Sequence, residues 1–351
     1  MTERYDHRRL TARTAELFTA AGLDAEIAAV VADILVEADL LGYATHGLQF
    51  VPAYMNALEK GVWTTSGTPQ IIEDRGASML FDANWLPGQW AVIKALEVAM
   101  GRTADHGVVT AVIKRSHNIS CLATYCKRAA EAGYLMILTT SAPGNAAVAP
   151  AGGRQAVYST SPFAAGIPTD GHPVLFDTAT SATTNRMIER TRRAGEKLSH
   201  PALVDADGKP SDDPEAFYTD PPGAILPAGG LDGGHKGFAL AILVEALTSG
   251  LAGWGRGPSD EKAGGNTVFL QLINPAAFGG SAAFSAETNY FAELCRNAAP
   301  MIEDAPVRMP GDRAFALHDE QCETGVRLHP EILKRMAPLF VKHGINSPDP
   351  L

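Results

Sequence analysis

The chain has 351 residues, of which 46% are hydrophobic and 19% are charged, and its formal net charge is −10 at pH 7. This composition is ordinary for a globular enzyme. An acidic chain argues against nucleic acid as a partner, because phosphate binding needs clustered Lys and Arg. No stretch approaches the roughly 18 uncharged apolar residues of a membrane span, and the N-terminal segment lacks the apolar core of a signal peptide. We therefore expect no membrane association and a cytoplasmic location.

The first part of the chain predicts helices. Apolar residues recur with helical spacing over 8–22 and over 24–43, and Asp24 is placed to be the N-cap of the second helix. A third helix is predicted over 48–60 and ends at Gly61, as helices commonly do. The first 60 residues therefore predict a helical unit.

His46 lies between the second and third predicted helices, flanked by Thr45 and Gly47. A histidine in a short loop between helices can reach out of the core. An unperturbed imidazole titrates near pH ~6.5, so it can give a proton to a reacting oxygen at neutral pH and recover it afterwards. His46 is therefore a candidate general acid. From the local pattern alone, the alternative is a histidine that only packs and hydrogen-bonds between two helices.

The middle of the chain alternates strand and helix patterns. Residues 70–82 contain two short β-prone runs on either side of Arg75-Gly76, which predicts a hairpin. A helix, a buried strand, a second helix and another strand follow, and this alternation implies an α/β core with crossover connections. These four segments are 89–103, 108–113, 121–132 and 134–138.

A long loop and a basic helix come next. Residues 141–162 are rich in Ala, Gly, Pro and Ser, and a loop of this length inside a compact domain is usually functional. A strand over 174–177 then leads into a helix with several arginines. Residues 199–232 contain many Pro, Gly and Asp residues and are interpreted as a surface excursion. The arginines of the helix are Arg186, Arg190, Arg192 and Arg193.

A glycine-rich run over 233–237 opens the most apolar predicted helix, 236–250. Free backbone N–H groups at such a helix start, with Lys236 in the first turn, can cradle a phosphate. The rest of the chain predicts four more segments. They are a strand over 267–272, a helix over 286–298, a strand-like run over 305–308 and a final amphipathic helix over 330–342.

The sequence lacks the common cofactor and nucleophile motifs. No G-x-G-x-x-G run follows a predicted strand, and there is no P-loop, G-x-S-x-G or H-E-x-x-H motif. The four cysteines lack the paired spacing of a zinc site, so no metal centre is predicted. If the chain binds a dinucleotide, it does so without the Rossmann fingerprint.

Five stretches, taken together, share the order and spacing of one family's motifs. They are EADLLGYATHG at 37–47 with Tyr54 and Gly61; 116–133; APAGG at 149–153 with STSP at 159–162; 233–253; and 308–313. They resemble the non-Rossmann malate/L-lactate dehydrogenase family. That family includes sulfolactate and ureidoglycolate dehydrogenases, 2,3-diketogulonate reductase and piperideine-2-carboxylate reductase.

The resemblance implies an α/β fold with a mixed-sheet, non-Rossmann dinucleotide-binding core over residues 69–314. It also implies a helical domain formed by both termini, residues 1–68 and 315–351. The implied activity is reduction of a small-molecule substrate, a 2-oxo acid or a cyclic imine, with NAD or NADP as the cofactor. The implied assembly is a homodimer with its site at the subunit interface.

The same resemblance implies roles for individual residues. His46 is similar to the family's proton donor, and Thr45 takes the place of its usual Ser. Hydride delivery to a carbonyl carbon puts negative charge on the oxygen, which a protonated His46 would both stabilise and neutralise. The implied substrate contacts are Phe50, Tyr54, Asn118 and Thr160. The implied cofactor contacts are Ser116, Asn118, Ile119, Ser120, Cys121, Ser141, Asp177, Thr178, Ala179, His235, Lys236, Arg308, Gly311 and Arg313.

Three positions depart from the family pattern, near the expected chemistry. Phe50 stands where the family has an arginine that grips the substrate carboxylate, and Met187 stands where some members have an acidic residue. A carboxylate buried beside Phe50 would lack a partner. Either the facing end of the substrate is uncharged, or another cation binds it. Arg186 and Arg190 are the candidates, and the alternative for both is a solvated basic face.

The third departure is Asn118, which stands where relatives carry a second histidine, with His117 one residue out of register. An asparagine can donate a hydrogen bond but cannot exchange a proton, so the acid role falls on His46 alone. Two hypotheses follow. One is an active NAD(P)H-dependent reductase, and the other is a catalytically inert relative that keeps cofactor binding or a role in assembly.

Overall fold

The structure, a computed structural model, describes residues 3–257 and 264–351. Its strands are β1 (Arg4–Tyr5), β2 (Gln70–Asp74), β3 (Ser78–Asp82), β4 (Val108–Ser116), β5 (Leu135–Ser141), β6 (Phe163–Ile167), β7 (Val174–Thr178), β8 (Leu203–Val204), β9 (Pro210–Ser211), β10 (Ala224–Ile225), β11 (Asn266–Ile273) and β12 (Val326–Arg327). Its helices are α1 (His7–Ala20), α2 (Ala25–Leu40), α3 (Val51–Glu59), α4 (Gly88–His106), α5 (Ala123–Glu131), α6 (Asn185–Arg193), α7 (Gly230–Glu245), α8 (Ser281–Arg296), α9 (Asp312–Thr324) and α10 (Pro330–Lys342).

Within the described residues, seven strands form one mixed sheet in the order β2-β3-β4-β11-β5-β6-β7. β3 and β4 are parallel and joined by α4, while β4 and β5 are joined by α5 and lie on either side of β11. The edge strand β2 is exposed, whereas β11 at the centre is almost wholly buried. The strand order differs from that of a Rossmann sheet. The predicted mixed-sheet, non-Rossmann α/β fold is confirmed.

Both ends of the chain contribute to a second hydrophobic cluster beside the core of the sheet. Phe18 of α1 and Met336 of α10 are buried in it, and β1 pairs directly with β12. Helix α2 packs against both clusters, since Leu35 belongs to the terminal cluster and Ile34 to the sheet core. The helical unit therefore shares α2 with the core. The predicted domain boundaries stay a prediction.

Helix α7 begins at Gly230, so the prediction of a helix that starts at 236 is wrong. Gly229 caps it with a φ of +94°. A Cβ on Gly237 would lie 2.5 Å from the backbone nitrogen of Ala228. The glycines therefore let the helix pack against the segment that precedes it, rather than forming a loop. Lys236 lies in the second turn, away from the free N–H groups of the helix start.

Other predicted segments also differ. Leu203 and Ile225, in the small sheet β8–β10, are buried, so the interpretation of 199–232 as a surface excursion is wrong for these strands. Residues 305–308 form no strand and are largely exposed, and Pro306 lacks the N–H that a strand ladder needs. The patterns missed β6 and α9. Strand β6 reads Phe-Ala-Ala-Gly-Ile, which has little β-propensity of its own.

Neither a metal cluster nor a membrane-spanning helix is present among the described residues. No group of three or more His, Cys, Asp or Glu side chains within 3–257 and 264–351 is placed to share a metal ion. In the same residues, no helix has the length and apolarity needed to cross a bilayer. The cytoplasmic location stays a prediction.

Candidate active site

The loop that carries His46 is fixed by Asp39, near the end of α2. The buried Asp39 carboxylate accepts a hydrogen bond from the backbone N–H of Leu48 at 2.7 Å. A Cβ on Gly47 would lie 2.3 Å from this carboxylate, so the loop can pass only if this residue is glycine. Burial raises the pKa of Asp39 to about 7 despite that hydrogen bond. Contacts with the buried Asp39 carboxyl group thus fix the path of the loop.

His46 itself is half-buried and held on two sides. Thr45 Oγ1 lies 2.9 Å from Nδ1, and the backbone oxygen of His46 accepts a hydrogen bond from Ser120 Oγ. The imidazole meets the Phe50 ring edge-on, with 5.9 Å between ring centroids. No residue in the described part of the chain bonds Nε2. Because Nδ1 is engaged, Nε2 is the nitrogen that remains for a substrate.

Charges of both signs act on His46. Its pKa is lowered, first by burial and then by the positive charge of Arg186, while the Asp177 carboxylate opposes the shift. The pKa of Asp177 is raised by its own burial. Asp177 also accepts hydrogen bonds from the backbone N–H groups of Leu122 at 2.8 Å and Ala123 at 3.1 Å, at the start of α5. His46 and Asp177 therefore form a coupled pair, and the helix start holds the carboxylate in place.

Asn118 is oriented by Tyr54. The Tyr54 hydroxyl donates to Asn118 Oδ1 at 2.7 Å and accepts from Gln89 Nε2 at 2.9 Å. The backbone N–H of Ser120 also donates to Asn118 Oδ1, at 2.9 Å. A backbone N–H can only donate, so the bonded atom is the amide oxygen and the NH₂ group points the other way. Asn118 can therefore offer N–H groups to a substrate oxygen.

The neighbouring His117 is turned away from this site. Its Nε2 lies 3.2 Å from the backbone oxygen of Val62, and its ring stacks on Trp63 with 5.5 Å between centroids. It is also nearly buried. His117 does not replace the histidine that the family pattern has at position 118.

The strand registers bring several predicted residues to one end of the sheet. Ser116 ends β4 opposite the first residue of β11, and Thr267 of β11 pairs with Ser141 at the end of β5. The first residue of β6 pairs with Thr178, which ends β7. Ser116, Ser141 and Thr178 therefore lie at the same end of the sheet, each as the last residue of its strand. Thr160 joins them, because its backbone oxygen accepts hydrogen bonds from Thr180 at 3.1 Å.

The loop 116–121 connects this end of the sheet to His46. Ser116, Ile119 and Cys121 are buried, and the Ile119 backbone oxygen accepts from the Tyr125 hydroxyl at 2.7 Å. Ser120, with a φ of +63°, contacts His46 as described above, and Cys121 Sγ lies 3.5 Å from Asp177. Buried side chains of this loop therefore shape the site, and the predicted ligand contacts of the loop stay a prediction.

The segment 308–313 lies beside β7. The Leu175 backbone N–H donates to Pro310 O at 3.0 Å, and Gly311 lies so close to Leu175 that a Cβ would be 3.0 Å from its nitrogen. Arg308 and Arg313 are exposed, and neither side chain forms a hydrogen bond or ion pair with another described residue. The structure thus places the segment that carries these arginines beside β7, which contains Asp177 and Thr178 and is followed by Ala179.

Three predicted residues are not joined to His46 by any described contact. Ser141 Oγ donates to Glu245 Oε1 at 2.5 Å, and Glu245 also pairs with Arg256 at 3.2 Å, so this hydroxyl is already used within the protein. His235 and Lys236 are exposed on α7, and their side chains form no hydrogen bond or ion pair with another residue in the described ranges. Their predicted role in cofactor binding stays a prediction.

The structure separates the two candidate cations of α6. The Arg186 guanidinium carbon lies 5.0 Å from the centroid of the Phe50 ring. Arg190 is exposed, and its side chain contacts Met187 Sδ at 3.5 Å. Arg186, and not Arg190, therefore faces the His46 site.

Sequence reasoning missed Asp39 and Gln89. Both are polar residues at buried positions of helices, and that mismatch with the apolar pattern was the available signal.

Known proteins resemble this chain over nearly its whole length. A family model described as malate/L-lactate dehydrogenase matches residues 5–337. The L-lactate dehydrogenase of Cupriavidus necator is 32% identical over 95% of this chain and 96% of that protein. The Δ1-pyrroline-2-carboxylate/Δ1-piperideine-2-carboxylate reductase of Pseudomonas putida is 28% identical over 92% and 93%. A crystal structure of malate dehydrogenase from Entamoeba histolytica matches with a TM-score of 0.93, at 25% identity, over 99% and 100% of the two chains. The chain therefore belongs to the malate/L-lactate dehydrogenase family, and the predicted enzyme class, a dehydrogenase acting on CH–OH or C=N, is confirmed.

Proposed function

We propose that this protein is an NAD(P)-dependent reductase that transfers a hydride to the C=O carbon of a 2-oxo acid or the C=N carbon of a cyclic imine. His46 is its proton donor. The setting of His46 carries the proposal: the imidazole is half-buried, Thr45 engages its Nδ1 at 2.9 Å, and Nε2 bonds no described residue. The relatives named as lactate dehydrogenase and as imine reductase support both kinds of substrate.

His46 and Asn118 have different roles at the reacting oxygen or nitrogen: His46 gives it a proton and Asn118 gives it a hydrogen bond. The protonated Nε2 donates to that atom, and it gives up its proton as negative charge develops there. The Asn118 NH₂ group donates a second hydrogen bond and keeps its protons. Because the pKa of His46 is lowered, reduction should slow as pH rises through a value below the ordinary one near ~6.5. The reverse oxidation needs the neutral ring and should show the opposite dependence.

The donor groups at this end of the sheet fit a nicotinamide dinucleotide. When bound, this cofactor supplies or accepts the hydride. Its pyrophosphate needs cations or backbone N–H groups, and the side chains of Arg308, Arg313 and Lys236 form no hydrogen bond or close ion pair with another described residue. Thr178 ends β7 and Ala179 follows it directly, and both would contact the cofactor there. The choice between NAD and NADP depends on contacts to the 2′-phosphate, and no residue is assigned to it.

We also propose a homodimer in which a second copy covers α7. The apolar side chains of α7 and the turn after it are unusually exposed for a folded chain, which is typical of an interface. Leu240, Ile242 and Leu243 are 49%, 55% and 46% exposed. His235 and Lys236 are exposed on the same helix, so an interface here would place these predicted cofactor residues beside the partner subunit.

The alternative is a catalytically inert relative that binds the cofactor or serves in assembly. It is favoured by Asn118, which cannot exchange a proton, and by Met187, which cannot act as an acid. The test is a fluorescence titration with NADH and NADPH, followed by a panel of 2-oxo acids and cyclic imines monitored at the absorbance of the reduced cofactor. Turnover of any panel member supports the reductase. Tight cofactor binding without turnover across the panel supports the inert relative. Binding of neither cofactor overturns the reductase and leaves only the inert relative with a role in assembly.

A further inference from the structure

Arg186 stands at the start of α6, in a position fixed by the helix cap. The Thr184 hydroxyl accepts from the backbone N–H of Met187 and begins the helix, which leaves Arg186 in the first turn. Its guanidinium lies over the Phe50 ring, with 5.0 Å between the guanidinium carbon and the ring centroid. The Phe50 ring also stacks on Tyr54, with 5.3 Å between ring centroids. The guanidinium therefore rests on a rigid aromatic platform.

The charge of Arg186 is only partly balanced. Its Nη1 donates to Glu189 at 2.9 Å, but Glu189 also pairs with Arg193 at 2.5 Å. Arg190, between them on the helix, pairs with no carboxylate among the described residues. One carboxylate, that of Glu189, thus serves two guanidinium groups, those of Arg186 and Arg193. The Nε and Nη2 groups of Arg186 bond no described residue, although its side chain is only 31% exposed.

A half-buried guanidinium with a free edge is suited to a planar anion, because two parallel N–H groups match the two oxygens of a carboxylate. Arg186 also lies close enough to His46 for its charge to act on the imidazole. A group bound to Arg186 would therefore lie near an atom that receives the His46 proton. In a 2-oxo acid or a cyclic 2-carboxy imine, the carboxylate is bonded directly to the reacting carbon.

We propose that Arg186 binds the carboxylate of the substrate and sets the preference of this enzyme for an acid whose carboxylate adjoins the reacting carbon. This inference rests on the proposed reductase function. Phe50 acts as the platform that orients the guanidinium. The sequence left open whether the substrate end beside Phe50 is uncharged or whether another cation binds a carboxylate there. We favour the second alternative, with Arg186 as the cation.

Carboxylate binding would also act on the proton donor. Arg186 and burial lower the pKa of His46, and Asp177 opposes them. The other titratable groups packed nearby, Tyr54 and Cys121, have raised pKa values and stay neutral at pH 7. A bound carboxylate would cancel the charge of Arg186 and favour the protonated His46. Binding of the acid would thus favour protonation of His46, which supplies the proton for the reaction.

The test compares Arg186→Gln and Arg186→Lys with Arg192→Gln. Arg192 is a matched control, because it belongs to the same helix but pairs with Glu215 and lies over Tyr218. Each variant is assayed with pyruvate and phenylpyruvate and with their methyl esters. We expect Arg186→Gln to lower kcat/KM for the acids about 10- to 100-fold, with little change for the esters. Arg186→Lys should keep part of the acid preference, and Arg192→Gln should behave as wild type.

A second readout needs neither cofactor nor turnover. NMR titration of the His46 ring should give a higher pKa in Arg186→Gln than in wild type, and an unchanged pKa in Arg192→Gln. Oxamate, a non-reducible mimic of a 2-oxo acid, should raise the His46 pKa in wild type but not in Arg186→Gln. Unchanged pKa values together with an unchanged ratio of acid to ester turnover would overturn the role of Arg186 while leaving the reductase intact. Failure of wild type to bind NADH or NADPH would instead overturn the proposed function.

Discussion

The surroundings of His46 and the outer face of α7 are built in opposite ways. Around His46, polar groups are paired within the chain: Thr45 engages the ring, Asp39 fixes the loop and Tyr54 orients Asn118. On α7, Lys236 pairs with no described residue, and Leu243 is nearly half exposed. The first region is held in place by contacts within one chain. The second has charge and apolar surface that a ligand or another chain could cover.

This difference separates two tasks. Proton transfer requires groups held in place before the substrate arrives, and a network within one chain provides this. Binding a large cofactor and assembling subunits require surface that is free until the partner arrives. Changes near His46 should therefore affect the rate constant most, and changes on α7 should affect assembly.

The largest expected effect is that of His46→Gln. Glutamine keeps a polar side chain but cannot serve as a general acid, so kcat should fall about 100- to 10,000-fold. Steady-state assays with NADH or NADPH measure kcat. A cofactor titration should show little change in cofactor affinity. His117→Gln is the matched control, because His117 faces Val62 and Trp63 and should keep near-normal turnover. If His46→Gln is as active as the control, another residue supplies the proton.

The next effect concerns the α7 face. The double variant Leu240→Asp and Leu243→Asp places two charges on the exposed apolar surface and should separate the subunits, because an unpaired charge buried at an interface costs several kcal/mol. Light scattering coupled to gel filtration should give a monomer mass for the variant and a dimer mass for wild type. Val341→Asp, on the exposed side of α10, is the control and should stay dimeric. A wild-type monomer would contradict the interface.

The fold was largely predictable where the pattern was long and local. The helices of the first 60 residues and the hairpin over 70–82 were found, because amphipathic periodicity and turn residues act over a few positions. The start of α7 was missed because glycines usually mark a loop, whereas here Gly237 permits contact with Ala228. The sheet order depends on which distant strands pair, and no local pattern of β11 reveals its place between β4 and β5.

The site was predictable in its residue types but not in its charges. His46 and Asp177 could be singled out in the sequence through the family resemblance, and the roles assigned to them stay predictions. Their coupling depends on a distance between β7 and the His46 loop that only the folded chain defines. The same holds for Arg186. Its helix is predictable, but the contact with Phe50 is a product of tertiary packing.

Asp39 should contribute a pH dependence to stability. Burial raises its pKa from the ordinary aspartate value of 3.8 to about 7 in the folded chain. A raised pKa means that the folded state holds the proton more tightly, so this group's stabilisation is complete below pH ~4 and is lost as pH rises through ~7. Between pH ~4 and ~7, the ionisation of Asp39 alone should lower the free energy of unfolding by about 1.4 kcal/mol per pH unit.

Asp39→Asn tests this, because asparagine keeps an oxygen acceptor for Leu48 but does not titrate. Urea unfolding of both proteins between pH 4.5 and 7.5 should show a shallower loss of stability in the variant. Equal slopes would mean that the Asp39 carboxyl ionises as freely in the fold as in the unfolded chain.

The smallest expected effect is that of Thr45. Its hydroxyl holds His46 Nδ1 at 2.9 Å, and a single hydrogen bond of this kind contributes about 1 kcal/mol. Thr45→Val removes the hydroxyl at nearly constant volume and should lower kcat about fivefold. Thr45→Ser keeps the hydroxyl and should stay close to wild type. Loss in Thr45→Ser with normal turnover in Thr45→Val would indicate that the methyl group, and not the hydrogen bond, positions the ring. Unchanged kcat in both variants would mean that the Phe50 contact, rather than Thr45, directs Nε2 toward the substrate.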